Sequence, residues 1–363
     1  MGEERPLRLK VIVSDFHLGK GERLQNGGLN PLEDFRYDQR FSEFLAYYST
    51  GENRDCEVEL IFNGDILNLI QTDYRGHFPT VITESISTQK LEAIIDGHPI
   101  FFDSLAQFLR VPGHSLTYLI GNHDQEMLWK QCRTLVETRL GTSVKWKNTH
   151  YQVDGIHIEH GHQYEAINRL DPTRFFLTEN LPEPILNLPW GTLFTLQFLV
   201  RLKQQRPVID KVRPFRHLVW WSFLHDTWAT LVHVLQLLFY FVGYQFSRTR
   251  LRVSHLRTTW KMISEAAVFP DLTESARRIL RNPDIHTVIF GHTHVYKQVQ
   301  IASGKQYLNL GSWTEIVSLD LDSFARRTRL TYALGRTDSE GKTSVTLRHW
   351  IGQSRLEDDA FAV

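Results

Sequence analysis

The chain has 363 residues, with 41 Lys+Arg against 41 Asp+Glu, 42% hydrophobic and 23% charged residues. That profile excludes a disordered, collagen-like or low-complexity chain, and the length suits one large domain or a core with a substantial insert. A net charge of zero makes no global case for nucleic acid as a partner. Two cysteines, Cys56 and Cys132, cannot build a disulfide scaffold, and the opening MGEERPLRLK lacks the apolar core of a secretory signal. A reducing, cytoplasmic location is therefore expected.

The first half alternates short apolar runs with amphipathic stretches. Residues 9–14, 58–63 and 116–120 are short, apolar and bounded by polar or glycine residues, which predicts buried strands. Residues 33–49, 87–109 and 124–139 repeat apolar side chains at helical spacing. Residues 151–159 predict a hairpin turning at Asp154-Gly155. Strand signals return at 285–290, 295–301, 306–310 and 314–319, with two more near 327–334 and 343–351. The order predicts an α/β domain.

The middle of the chain differs. Residues 172–262 are apolar, aromatic and basic, which divides the sequence into a core at 1–171, an insert at 172–262 and a second core part at 263–363. Residues 191–204 predict a helix. Residues 215–246 predict a long one with a narrow polar stripe of Ser222, Asp226, Thr230, His233, Gln236, Tyr240 and Tyr244. Between 185 and 261 stand eleven Lys and Arg, Arg248, Arg250 and Arg252 among them, against Asp210 and Asp226. A wide apolar face with basic borders suits a helix lying in an anionic membrane surface, or a cap holding acyl chains beside a charged headgroup. A buried cap helix and a membrane span over 227–246 are the other readings. His233, Gln236 and the basic ends weigh against the span.

Five segments carry chemistry: Asp15-Phe16-His17, Gly64-Asp65, Gly121-Asn122-His123-Asp124, His160-Gly161-His162 and Gly291-His292-Thr293-His294. Each follows a predicted strand, and strand ends are where α/β folds assemble their sites. Singly, each has an ordinary explanation: an aspartate after a strand caps a helix, and a His-x-His pair lies on a surface. Together, imidazole and carboxylate suit a pair of divalent metals such as Mn, Fe or Zn. The adjoining glycines allow close backbone approach.

The ordered set D-x-H, G-D, G-N-H-D, H and G-H-x-H resembles the calcineurin-like metallophosphoesterases over about 1–165 and 284–320. The resemblance implies a four-layer α-β-β-α sandwich with the insert as a helical cap. It implies two divalent metals, Mn²⁺ first among the candidates. Asp15, His17, Asp65 and His294 would hold one metal, and Asp65, Asn122, His160 and His292 the other, with Asp65 bridging. It makes His123 the non-ligand histidine, placed to neutralise transition-state charge or protonate the leaving oxygen. Asp124 is expected to orient it. His162 is a further candidate.

Within that family the chain is most similar to UDP-2,3-diacylglucosamine pyrophosphatase-like members. The SDFHLG opening, YLNLGSWT at 307–314 and a helical insert before GHTH carry that likeness. Two features depart from it: His123 stands where many of those enzymes carry Arg, and the insert is longer and more aromatic. The implied activity is hydrolysis of a lipid-linked phosphoester or pyrophosphate by an enzyme peripheral to the inner face of the cell membrane, with Arg248, Arg250 and Arg252 as candidate substrate contacts. The alternative is a soluble nucleotide phosphodiesterase, phosphatase or nuclease of the same superfamily.

Overall fold

The computed structural model describes residues 7–24, 26–207, 211–213, 227–228, 231–232, 235, 271–318 and 325–352. Apolar alternation builds the first sheet. Strand β1 (Arg8–Val13) pairs in parallel with β2 (Glu57–Asn63), and β2 in parallel with β3 (His114–Leu119). On one side of the sheet, Val11 and Val13 of β1 join Leu60, Phe62 and Tyr118 in a core. That core is shared with α1 (Asp38–Ser49), α2 (Glu84–Gly97), α3 (Pro99–Leu109) and α4 (Lys130–Leu140). On the other side, Ile12, Ile61 and Leu119 pack into a different cluster, as a period of two requires. The short β4 (Lys145–Lys147) extends this sheet beyond β3.

The expected hairpin forms between β5 (His150–Val153) and β6 (Ile156–Glu159). Its two turn residues, Asp154 and Gly155, both have positive φ, at 47° and 73°. That conformation matches the twist of the strands it joins. Two two-residue strands, β7 (Phe176–Leu177) and β8 (Ile185–Leu186), pair with one another, and β9 (Val212–Arg213) follows.

The second sheet adds β10 (Thr287–Phe290), β11 (Tyr296–Ala302) and β12 (Lys305–Leu310), in the order β11-β12-β10-β6-β5. Strand β10 runs parallel to both β6 and β12. Next come β13 (Ile316–Ser318), which pairs with β9, and β14 (Ala325–Arg327). Finally β15 (Leu330–Thr337) and β16 (Thr343–Trp350) close the first sheet beside β1.

The middle cluster mixes both sheets: Ile12, Ile61 and Leu119 from the first, Ile158, Ile289 and Leu308 from the second. The outer face of the second sheet, with Val288, Phe290 and Tyr307, is covered by Leu272, Leu280 and Ala276 of α7 (Thr273–Ile279). These are the four layers expected, helices outside and two sheets within.

Three boundaries shift for physical reasons. The helix expected over 87–109 is two, because Pro99 lacks an N–H and turns His98 out of helical geometry. The helix expected from 33 starts at Asp38. Glu33 instead accepts hydrogen bonds from the backbone N–H groups of Gly19, Gly21 and Phe35 at 3.0, 2.7 and 3.1 Å. The segment from 124 opens with a single 3₁₀ turn, Gln125–Leu128, before α4.

His98 fastens that corner. Its Nδ1 lies 2.9 Å from Asp38 Oδ1 and its Nε2 3.4 Å from Glu33 Oε2. Burial opposes its charge, but the two carboxylates outweigh it and raise the pKa to about 9. A raised folded-state pKa stabilises the protonated fold. The contribution is full below the ordinary value near 6.5 and is lost as pH rises through about 9. Urea midpoints of the wild type should therefore fall between pH 6.5 and 9 more than those of His98→Gln. Equal slopes in the two proteins would contradict the His98 assignment.

In the insert, Trp190–Phe194 (α5), a π-helical turn at Thr195–Leu199 and Val200–Gln205 (α6) form one helix, close to the expected 191–204. It is tied to the core by Gln125 Nε2 donating to Thr192 Oγ1 at 2.8 Å. The helix expected over 215–246 lies almost wholly outside the described residues, and Arg248, Arg250 and Arg252 lie outside them altogether. Among the described residues no helix is long and apolar enough to cross a membrane.

Candidate metal centre

The chemical segments all lie at the carboxyl ends of parallel strands. Asp15 follows β1, Asp65 follows β2, Asn122 follows β3, His160 follows β6 and His292 follows β10. The two packed sheets bring these ends to one rim. Pairing continues past the strands: Asp15 N–H donates to Gly64 O at 3.2 Å, His17 N–H to Asp65 O at 3.0 Å and Gly291 N–H to His160 O at 3.0 Å. Trp313 N–H and Ser312 Oγ both reach Asp15 O, at 3.1 and 3.2 Å, so the 307–314 stretch buttresses the first ligand loop.

Glycine lets these loops close in. A Cβ on Gly64 would sit 2.5 Å from His160 Nδ1, and one on Gly291 would sit 2.5 Å from Ser14 Oγ. A Cβ on Gly121 would run into the Asp65 carboxylate. Among the described residues eight non-glycine positions have positive φ, and five are expected ligands: Asp15, His17, Asp65, His292 and His294, at 54–68°. Each such conformation costs roughly 1–3 kcal/mol and persists where function over-determines the backbone.

The donor atoms gather in overlapping groups. Asp15, His17 and His294 form one, Asp65, His160 and His292 a second, and His17, Asp65 and His123 a third, each with ligand atoms within 4.8 Å of one another. His294 Nε2 lies 3.0 Å from His17 Nε2 and 3.3 Å from Asp15 Oδ1, and His160 Nε2 lies 3.1 Å from Asp65 Oδ2. Ligands about 2.0–2.2 Å from one cation stand roughly 3–3.5 Å apart, so these spacings match the edges of a coordination shell.

The donor set fits such a cation on independent grounds. His160 Nδ1 donates to Asn63 O at 2.8 Å, which leaves Nε2 as the bare nitrogen, buried and with no hydrogen-bond partner. Asn122 Oδ1 is likewise buried without one, and Asn122 lines the same cavity of about 240 Å³ as His17, Asp65, His292 and His294. Burial opposes ionisation of Asp15 and Asp65, yet the surrounding histidines hold both carboxyls well below the usual range. Two charged carboxylates among imidazoles are the donors a divalent pair requires.

All seven expected ligands stand at this one rim. His162 is fully buried beside His160 and His292, with ring centroids 5.4 and 6.3 Å away, and is not among the residues that line the cavity. Glu165, not anticipated, lies 2.8 Å from His292 Nε2 and steadies that ring.

Asp124 does not orient His123. Its carboxylate accepts from Gly121 N–H at 2.5 Å, Ile66 N–H at 3.0 Å and Tyr118 Oη at 2.8 Å, and so braces the loop. His123 Nδ1 instead meets Asn68 Oδ1 at 2.9 Å. The reason is the tight turn from 121 to 124, which points neighbouring side chains in different directions. The available signal was Asn68 itself, three residues beyond Asp65 and brought back to the site by the turn that follows.

Burial pushes the His123 imidazole down to about 3, against the pull of Asp65. The ring is therefore neutral in the free cavity, and it becomes a donor when negative charge arrives to favour its protonation. Its backbone N–H donates to Asp65 Oδ1 at 2.8 Å, locking the two loops together.

The calcineurin-like phosphoesterase sequence model matches residues 11–296. The chain belongs to the calcineurin-like phosphoesterase family. It is a phosphoester hydrolase of the metallophosphoesterase class, and the family is dimetal-dependent. No curated protein matches the chain. Among solved structures it is similar to a dimetal phosphatase from Danio rerio at 11% identity and TM-score 0.36, over 94% of this chain and 98% of that one. It is similar to Vps29 from Entamoeba histolytica complexed with Zn²⁺ at 10% identity and TM-score 0.30, over 94% and 99%. A 5′-nucleotidase described from Staphylococcus aureus aligns at 12% identity and TM-score 0.33, over 98% and 56%. Scores this low carry no argument about substrate.

Two cations, when bound to a calcineurin-like phosphoesterase, acidify water and draw charge from the phosphoryl oxygens. The residues of this chain would hold them from two sides. Asp15, His17 and His294 would serve one side, Asn122, His160 and His292 the other, and Asp65 would stand between. His123 stands with His17 and Asp65 in the third group, where its ring would face a reacting oxygen.

Proposed function

We propose that this metallophosphoesterase hydrolyses a phosphoester or pyrophosphate bond in a lipid-linked substrate, of the UDP-2,3-diacylglucosamine kind, at the inner surface of the cell membrane, with Mn²⁺ as its working metal. One observation carries the reading. The cavity that holds the ligands is two-faced: Trp190, Phe194, Leu199 and Ile167 give it an apolar wall, while Asp34, Gln71 and Lys211 line it with polar groups. An amphiphile with an anionic head needs both faces. A second feature agrees. In the described part of the insert, Trp228, Leu231 and Leu235 are 79, 44 and 46% exposed, and their spacing puts them on one helical face. Such a face suits insertion at the headgroup level.

The test compares an acylated nucleotide-sugar diphosphate in mixed micelles with its acyl-free counterpart, using Mn²⁺-loaded protein. The acylated substrate is expected to be cleaved with kcat/KM higher by about a hundredfold or more, since burying several methylenes contributes about 0.8 kcal/mol each. Equal or faster turnover of soluble phosphoesters, cyclic nucleotides or DNA would instead establish the soluble phosphodiesterase or nuclease.

A further inference from the structure

The loop between β1 and α1 carries an aspartate that belongs to none of the chemical segments. Asp34 is 8% exposed. Its Oδ2 accepts from Lys203 Nζ at 2.6 Å and from Asn68 Nδ2 at 3.4 Å, and its Oδ1 lies 2.9 Å from Lys211 Nζ. Both lysines come from the insert. Lys203 is fully buried and also donates to Gln71 Oε1 at 2.9 Å.

We propose that Asp34 is a positioning residue that sets the tautomer of His123 through Asn68, with Lys203 and Lys211 of the insert holding it in place. A carboxylate has no hydrogen to give. Asn68 must therefore turn its NH₂ toward Asp34, which turns its carbonyl oxygen toward His123 Nδ1, 2.9 Å away. That oxygen only accepts, so Nδ1 carries a ring proton. Nε2 is the nitrogen left to face the cavity that His123 shares with His17 and Asp65.

Without Asp34 the Asn68 amide can turn over. Its NH₂ would then donate to Nδ1, and the ring proton would move to Nε2. The amide alone has no preference between the two arrangements. The carboxylate supplies it. An unpaired buried carboxylate is costly, and the two ammonium groups offset that cost. Because they arrive from residues 203 and 211, the seating of the insert is linked to the state of His123. The inference rests on the hydrolase reading of the centre and not on the lipid substrate.

The test is spectroscopic and needs no substrate. Two-bond ¹⁵N–¹H spectra of Zn²⁺-loaded protein, labelled at histidine nitrogen, report which ring nitrogen of His123 bears the proton. The wild type is expected to show Nδ1–H. Asp34→Asn is expected to move most of the population to Nε2–H while binding the same amount of metal. With any substrate the protein turns over, kcat should fall about ten- to a hundredfold with KM within about threefold, as loss of a proton-transfer geometry does.

The double variant Asp34→Asn, Asn68→Asp has the same net charge and nearly the same volume. It places a carboxylate directly on Nδ1, and is expected to restore the Nδ1–H form. A merely structural Asp34 would not be rescued in this way. Nε2–H in the wild type, an unchanged tautomer in Asp34→Asn, or a double variant that folds without restoring Nδ1–H would each overturn the proposal.

Discussion

Replacing Asp65 by alanine is expected to take the protein from two bound cations to none and to lower kcat/KM by several orders of magnitude. Asp65 lies 3.1 Å from His160 Nε2 and 3.9 Å from His17 Nε2, one histidine from each side of the centre. It shares a donor group with His160 and His292 and another with His17 and His123. A carboxylate between two cations lowers their mutual repulsion as well as binding each. Its backbone and side chain also tie the loops, accepting from His17 N–H and His123 N–H at 3.0 and 2.8 Å. Elemental analysis after dialysis reads the effect. Two cations retained by Asp65→Ala would contradict the bridging assignment.

The second large effect separates turnover from metal. His123→Ala is expected to keep both cations and to lose about 10²–10⁴-fold in kcat, the usual worth of one positioned proton-transfer group. His123 contacts the rest of the site through Asn68 at 2.9 Å and through its own backbone bond to Asp65, and the backbone bond survives the substitution. KM should therefore change less than kcat. Loss of a cation from His123→Ala, measured on the same dialysed samples, would place His123 among the ligands instead.

Both substitutions test residues that stand in legible positions. Asp15, Asp65, Asn122, His160 and His292 each follow an apolar strand, and strand ends share a rim whenever the strands run parallel. Glycine before Asp65, Asn122 and His292 marked the close approaches that the structure contains. The four layers were legible too, since β1, β2 and β3 alternate between two apolar faces and each face needs its own cover.

Other features depended on contacts between distant parts of the chain. Lys203 and Asp34 are 169 positions apart, and nothing local in either segment signals the ion pair. Glu165 reaches His292 from beyond the hairpin, where the residues around it carry no periodic signal. Asp124 misled for the opposite reason. It is next to His123 in sequence, but three donors hold it on the far side of the turn. The split of α2 from α3 was marked by Pro99, whose effect on His98 outweighs an otherwise continuous helical pattern.

Asp65 would join two cations held by ligands from both sheets. Anomalous diffraction from crystals of the Mn²⁺-loaded protein measures this directly. Two peaks about 3.5–4 Å apart are expected, both within bonding distance of Asp65, one beside Asp15, His17 and His294 and the other beside Asn122, His160 and His292. A single peak, or a pair that does not share Asp65, would contradict it.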